Sequence, residues 1–235
     1  KPAYLDYFVN ASPKEIILDQ LQSEQGARFL RKRNRNIIIK VEEDIEILDN
    51  FIWLTLAQIK TLMNYDNLVN MDTRTVISGI PFGDYDAKGF ESLNLMTKNI
   101  EPSSIGYQLL KSTLLNNKGI NSFDNIQSFI TQQKCKYELD VSDISLADID
   151  EWIIEKDRIR QRDNKYFEII AVQVSISNRE VVSWTQPMVK PAQEGLCAFI
   201  CKEIKGTLHF AVQAKLECGN FDIIEFAPSV QCLTG

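Results

Sequence analysis

The chain has one histidine, His209, and five cysteines (135, 197, 201, 218 and 232), none of them in a Cys-x-x-Cys pair. A zinc site built on clustered histidines is therefore ruled out, and any Ser/His/Asp or Cys/His device would have to use His209. An odd number of cysteines without motif spacing argues against a disulfide scaffold and for free thiols in a reducing, cytoplasmic setting. No apolar run is long enough to span a bilayer, and no signal-peptide pattern opens the chain, so a membrane partner is not expected. Basic excess is also missing: 26 Lys and Arg against 32 Asp and Glu give a net charge of −6, whereas a nucleic-acid binder is expected to be basic. The first residue is Lys1 rather than Met, the start expected of a piece of a longer protein.

What is present is ordinary globular material. The 235 residues are 44% hydrophobic and 25% charged, enough to bury a real core. Ser12-Pro13-Lys14-Glu15 reads as a capping box opening a helix with Ile16, Ile17 and Leu21 on its stripe and Gly26 as its stop. A strand is expected at 36–41 ("NIIIKV") and a helix from the Thr55-x-x-Gln58 box. Further helices are expected at 104–115 and 123–135, with another start at Ser145-x-x-Asp148. From about residue 165 the apolar period changes from 3.6 to 2, and five strand-like runs separated by short turns predict an antiparallel meander. The reading is α+β, one module over 1–235 with a helical part to about 150 and a sheet-rich part after it.

Three stretches carry candidate chemistry. In the run 207–217, taken as one strand, His209, Gln213, Lys215 and Glu217 alternate onto one face. That face is either a solvated surface or a line of groups able to hold a polar ligand and move protons. At roughly 3.3 Å per residue, Lys215 and Glu217 lie ~7 Å apart and could bracket one sugar ring, whereas His209 and Glu217 lie ~26 Å apart and cannot act on one bond. In "REVVSWTQPMVKP" (179–191), Trp184 and Gln186 share a face: Trp184 alone reads as core, but a neighbouring amide needs partners. Pro187 suggests an edge strand or a strand end, where a cleft can open. The run "ARFLRKRNRN" places Arg28, Arg31, Lys32, Arg33 and Arg35 within eight residues. It is a solvated basic surface or a grip for a diphosphate. A nucleic-acid module using 28–35 is the weaker rival, because the acidic segment 42–49 follows directly.

The segments "QSEQGARFLRKRNRN" (22–36), "FIWLTLAQIKTLMNYDNLVNMDTRTVISGIPF" (51–82), "REVVSWTQPM" (179–188), "GTLHFAVQAKLECGN" (206–220) and "EFAPSVQC" (225–232) together resemble the NDP-hexose 2,3-dehydratase family. The matching segments cover most of the chain apart from about 83–140. The resemblance implies a fold related to Nudix hydrolases, present as two tandem copies of which this chain resembles the second. It implies a dTDP-linked 4-keto-6-deoxyhexose that loses water across C2 and C3, which makes the protein a carbon–oxygen lyase of deoxysugar biosynthesis. The chemistry needs no redox cofactor and no obligatory metal. The alternative is a non-catalytic sugar-nucleotide-binding or structural half of a two-repeat enzyme. Either way a partner is implied, a second copy in a homodimer or a sister repeat.

On this reading Lys215, Glu217 and His209 are the catalytic candidates. Trp184, Gln186, Gln213, Arg28, Arg33, Arg35, Trp53, Asn70, Arg74 and Gln231 are the substrate-binding ones. Two departures stand out. Family members tend to carry a histidine and a glycine ahead of the aromatic pair that opens the sheet, where this chain has Gln161 and Asn164. The Nudix catalytic box is absent, which argues against Mg²⁺-dependent pyrophosphate hydrolysis.

Overall fold

A computed structural model of the chain describes residues 2–80, 89–114, 119–177 and 181–233. They form an α+β protein whose strands pair antiparallel throughout. The chain divides into two compact units, Lys1–Asp84 and Tyr85–Gly235, each described by itself.

The first unit opens with helix α1 (Leu5–Val9), followed by strands β1 (Ile16–Ser23) and β2 (Arg33–Ile39) in a hairpin. The predicted first helix is therefore a strand. Half of its capping box forms: Ser12 N–H and Oγ–H both donate to the Glu15 carboxylate at 2.6 and 2.7 Å, while Glu15 N–H goes to the backbone oxygen of Ser12. It closes only a turn, because Ile16 and Leu18 find Ile39 and Ile38 across the hairpin, with Ile17 at an irregularity between them. The strand expected at 36–41 is present but begins at Arg33, inside the arginine run.

The Thr55–Gln58 box is complete and starts helix α2 (Leu56–Leu62). Reciprocal bonds of that kind are worth about 1 kcal/mol. Helix α3 (Met71–Ser78) lies on β2. It ends at Gly79, where a Cβ would stand 3.0 Å from Gln20 Oε1 and 3.1 Å from Leu18 Cδ2, so the absent side chain lets the helix end approach the hairpin.

The second unit begins with helices α4 (Gly89–Met96), α5 (Ile105–Leu114) and α6 (Phe123–Lys136), the last two where the sequence placed them. The start expected at Ser145 yields only one 3-10 turn, Leu146–Asp148. Strands β3 (Trp152–Ile154) and β4 (Arg158–Gln161), which the sequence reading missed, join β5 (Phe167–Ser175) and β6 (Ser183–Pro191) in a sheet of order β3-β4-β5-β6. Strand β6 is an edge strand, which is what tolerates Pro187 opposite Ala171. Glu168 sits between Arg158 (3.5 Å) and Lys190 (3.7 Å), a cross-strand charge ladder that helps fix the register.

Beyond β6 the meander breaks into two-stranded ladders. β7 (Gly195–Ala198) pairs with β12 (Val230–Leu233), β8 (Cys201–Ile204) with β9 (Thr207–Phe210), and β10 (Gln213–Leu216) with β11 (Ile224–Ala227). The run 207–217 is thus two strands rather than one. It breaks at Ala211 and Val212, where Ala211 N–H turns to Ile200 O, and its halves follow different partners.

Helix α5 packs on β9, with Ser112 Oγ–H donating to Leu208 O at 2.6 Å. Helix α6 lies on β11, with Phe129 stacked parallel to Phe226 and Lys134 paired with Asp222. Leu114, Leu208 and Ile224 are the buried apolar centres of this unit.

Candidate functional site

Strand β10 and the first turn after it carry Lys215 and Glu217, two residues apart and so on one side of the ribbon. Pairing with β11 sets Lys215 opposite Glu225 and Leu216 opposite Ile224, the most buried large side chain described. The Lys215 ammonium donates to the backbone oxygen of Gln231 at 3.0 Å and lies 3.1 Å from Glu217 Oε1. Gln231 Nε2 also donates to Glu217 Oε1, at 3.4 Å. Three predicted site residues from two ladders therefore meet in one cluster, with the Glu217 side chain only 12% exposed and Lys215 23%.

A sheltered ion pair of this kind is weak grounds for stability, because desolvating both charges consumes most of their attraction. It has chemical capacity instead. The ammonium retains a third donor, and the contacts of the carboxylate among described residues all run to Oε1, leaving Oε2 available to take a proton.

His209 stands apart from this cluster on β9. Its Nδ1 faces Thr207 O at 2.8 Å, and its Nε2 accepts from Ile120 N–H at 3.1 Å. The ring is held as the neutral Nδ1–H tautomer, and it anchors the segment before α6. The single polar face expected over 207–217 is corrected accordingly: His209 belongs to the β8–β9 ladder, and Gln213, Lys215 and Glu217 belong to the run from β10.

On β6, Trp184 is half-buried and its indole N–H donates to Gln186 Oε1 at 2.6 Å. The awkward amide is thus partnered by its own neighbour. Among the described residues Trp184 and Gln186 are not drawn together with Gln213, Lys215 and Glu217: β6 makes its substantial contacts with β5, and β10 makes its with β11. Gln161, at the departure from the family pattern, is buried, and its Oε1 accepts from Asp163 and Lys165 N–H at 2.7 and 3.2 Å. It builds the turn between β4 and β5.

The first unit holds the remaining candidates. Arg28 is exposed in the hairpin loop. Arg33 and Arg35 alternate onto one face of β2, and Arg35 grips Asp19 with two bonds of 2.7 and 2.6 Å. That hydrogen bonding holds the Asp19 carboxyl below its usual range and raises Arg35. Asn70 caps α3 by accepting from Thr73 N–H, and Arg74 Nε donates to Val69 O at 3.1 Å. Trp53, 70% exposed, lines an apolar cavity of ≈380 Å³ with Tyr4, Tyr7, Phe8 and Phe51.

Sequence reasoning missed Glu24, Asn34 and Asn36, sheltered polar groups of the hairpin. Their signal was the alternation Gln20, Gln22, Glu24 and Asn34, Asn36, hidden when residues 16–25 were read as a helix.

The NDP-hexose 2,3-dehydratase family model matches residues 1–80 and 123–235, both stretches that build the two units. The chain belongs to this family. A dTDP-4-dehydro-6-deoxy-alpha-D-glucopyranose 2,3-dehydratase of Saccharopolyspora spinosa is 42% identical over 231 residues, 98% of this chain and 46% of its own length. Enzymes of the same name from Amycolatopsis orientalis and Streptomyces violaceoruber are 36% and 35% identical, covering 97% and 99% of this chain and 42% and 48% of their own lengths. The chain thus spans about half the length of the curated relatives it matches. The Lys215–Glu217–Gln231 cluster lies inside the second matched stretch of the dehydratase family, as do Trp184, Gln186 and Gln213.

Proposed function

We propose that this chain is a module of a dTDP-4-keto-6-deoxyhexose 2,3-dehydratase, a carbon–oxygen lyase acting in deoxysugar biosynthesis. The observation that carries the reading is the meeting of Lys215, Glu217 and Gln231 in one sheltered cluster of a dehydratase-family chain.

In this reading the C4 ketone of the substrate acidifies the C3–H bond. Glu217 takes the C3 proton, and Lys215 donates to the C4 oxygen, holding the enolate as charge develops there. Collapse of the enolate breaks the C2–O bond, and the proton carried by Glu217 leaves with the hydroxyl as water. The enol left behind tautomerises to a 3,4-diketo-2,6-dideoxy sugar. Neither oxidant nor reductant enters, so the reaction balances without a redox cofactor. Gln231 fixes both charged groups; Gln213, Trp184 and Gln186 are proposed to orient the sugar.

His209, with both ring nitrogens engaged, is assigned to holding the segment before α6. A separate proposal gives Arg28, Arg33 and Arg35 a diphosphate, with Arg35 exchanging its carboxylate partner for phosphate oxygens. The half-length match supports pairing with a second copy or a sister repeat, and the Nudix-like fold rests on the family resemblance. The nature of the substrate and the free thiols favour the cytoplasm.

Turnover of a dTDP-4-keto-6-deoxyglucose, followed by mass spectrometry for loss of water, tests the reading. Glu217→Gln and Lys215→Ala should each lower the rate by roughly 10²–10⁴. Full turnover in both variants would overturn the assignment. A chain that binds dTDP but dehydrates nothing until a sister repeat is added would be the non-catalytic half.

A further inference from the structure

The first unit carries a polar cluster that the dehydration chemistry does not use. Where α3 lies on β2, a crevice of ≈180 Å³ opens between helix and hairpin. The hairpin wall is Gln22, Glu24, Asn34 and Asn36, and the helix wall is Asp72 and Thr75.

These groups are built in rather than loosely arrayed. Asn36 is 7% exposed and donates to Gln22 Oε1 at 2.7 Å. The Glu24 carboxylate, 11% exposed, receives Lys32 at 2.7 Å and the Asn34 amide. Lys32 also reaches Asn34 Oδ1 at 2.9 Å, so its charge is spent inside the cluster. Each amide still holds a second N–H and unused lone pairs, so donor and acceptor stand side by side.

That chemistry selects a ligand class. Adjacent donors and acceptors on short amides match the vicinal hydroxyls of a sugar, and Met71 supplies an apolar surface for its C–H face. Two carboxylates on the lining, Glu24 and Asp72, disfavour a phosphate. The lining holds no aromatic ring on which a nucleobase could stack. The volume is below the roughly 300 Å³ at which pockets for larger ligands begin, and suits a single ring. All the lining residues fall in 22–36 and 51–82, the two segments through which this unit resembles its family.

We propose that the crevice between β2 and α3 binds a neutral pyranose through its vicinal hydroxyls. The site goes beyond the dehydration reading and does not depend on it.

The test is a titration of the isotope-labelled whole chain with methyl α-D-glucopyranoside and, separately, with dTDP, reading the side-chain amide resonances of Gln22, Asn34 and Asn36. The glucoside should shift these signals saturably, in the millimolar range, and dTDP should leave them in place. Asp72→Ala, a change on an exposed first turn, should weaken the glucoside about tenfold, the loss of one charge-assisted hydrogen bond. Thr75→Val should weaken it in the same direction. Absence of any response to the glucoside would overturn the site, as would equal affinity in both variants or a response to dTDP without one to the sugar. Because no turnover is read, failure here leaves the assignment of Lys215 and Glu217 standing.

Discussion

Arg35 and Asp19 show how a side chain in a basic run can be committed before any ligand arrives. The two bonds of their fork hold Asp19 ionised to lower pH than an ordinary carboxyl. A depressed folded-state pKa contributes stability above the unfolded value, about 3.9, and that contribution is lost as pH falls through the folded one. Arg35→Ala should therefore return the Asp19 midpoint, followed by carboxyl NMR, to its ordinary range. The melting temperatures of wild type and variant should differ at neutral pH and converge in acid. His209 makes a second residue-scale case. Only a neutral ring can accept from Ile120 N–H, so His209→Ala should speed hydrogen exchange at Ile120 while leaving the β10–β11 amides protected. Equal exchange at Ile120 would show that the imidazole anchors nothing.

At the scale of elements, the β8–β9 hairpin turns on Lys205 and Gly206, both with positive φ (51° and 76°), as a two-residue turn matching strand twist requires. A Cβ on Gly206 would meet only the flexible end of Lys111, at 3.7 Å. The cost of Gly206→Ala is thus purely conformational, about 1–2 kcal/mol, and should appear as a lower urea midpoint with an unchanged slope. Several elements were legible in the sequence for similarly local reasons. Thr55 and Gln58 cap α2 through their own bonds, and Phe123, Ile126, Phe129 and Ile130 repeat at the helical period in α6. The first helix failed because its signal was local and the outcome was not. Ser12 and Glu15 do bond, but Leu18, Gln20 and Gln22 pair with Ile38, Asn36 and Asn34, between roughly 12 and 20 residues on. The break at Ala211 and Val212 left only a faint signal: the even positions stay apolar through it, and Ala211 is the one apolar residue among the odd positions.

The molecule as a whole leaves large apolar side chains uncovered. Around the apolar cavity of the first unit Ile52 is 77% exposed. In the second, Ile200 is 66% exposed beside the edge-to-face pair Phe199 and Phe210. Clustered apolar exposure of this kind is what the proposed pairing with a second copy or sister repeat would cover, and the chain matches about half the length of its relatives. Sedimentation velocity should show the isolated chain self-associating with rising concentration, and Ile200→Glu should weaken that association with the circular dichroism unchanged. A monomer at all concentrations would remove the proposed pairing of copies.

By itself the sequence determined the α+β class, the capped helix α2, the edge character of β6 and the family, because each is written in local periodicity, capping chemistry or ordered motifs. It also singled out Lys215, Glu217 and Gln231 as candidates for a site. Only the tertiary structure decided that these three meet while His209 turns away, that Trp184 and Gln186 satisfy each other, and that Glu24, Asn34 and Asn36 line a crevice. The reason is physical: strand pairing joins residues far apart in the chain, and a ladder that changes partner after four residues re-aims every side chain beyond the change.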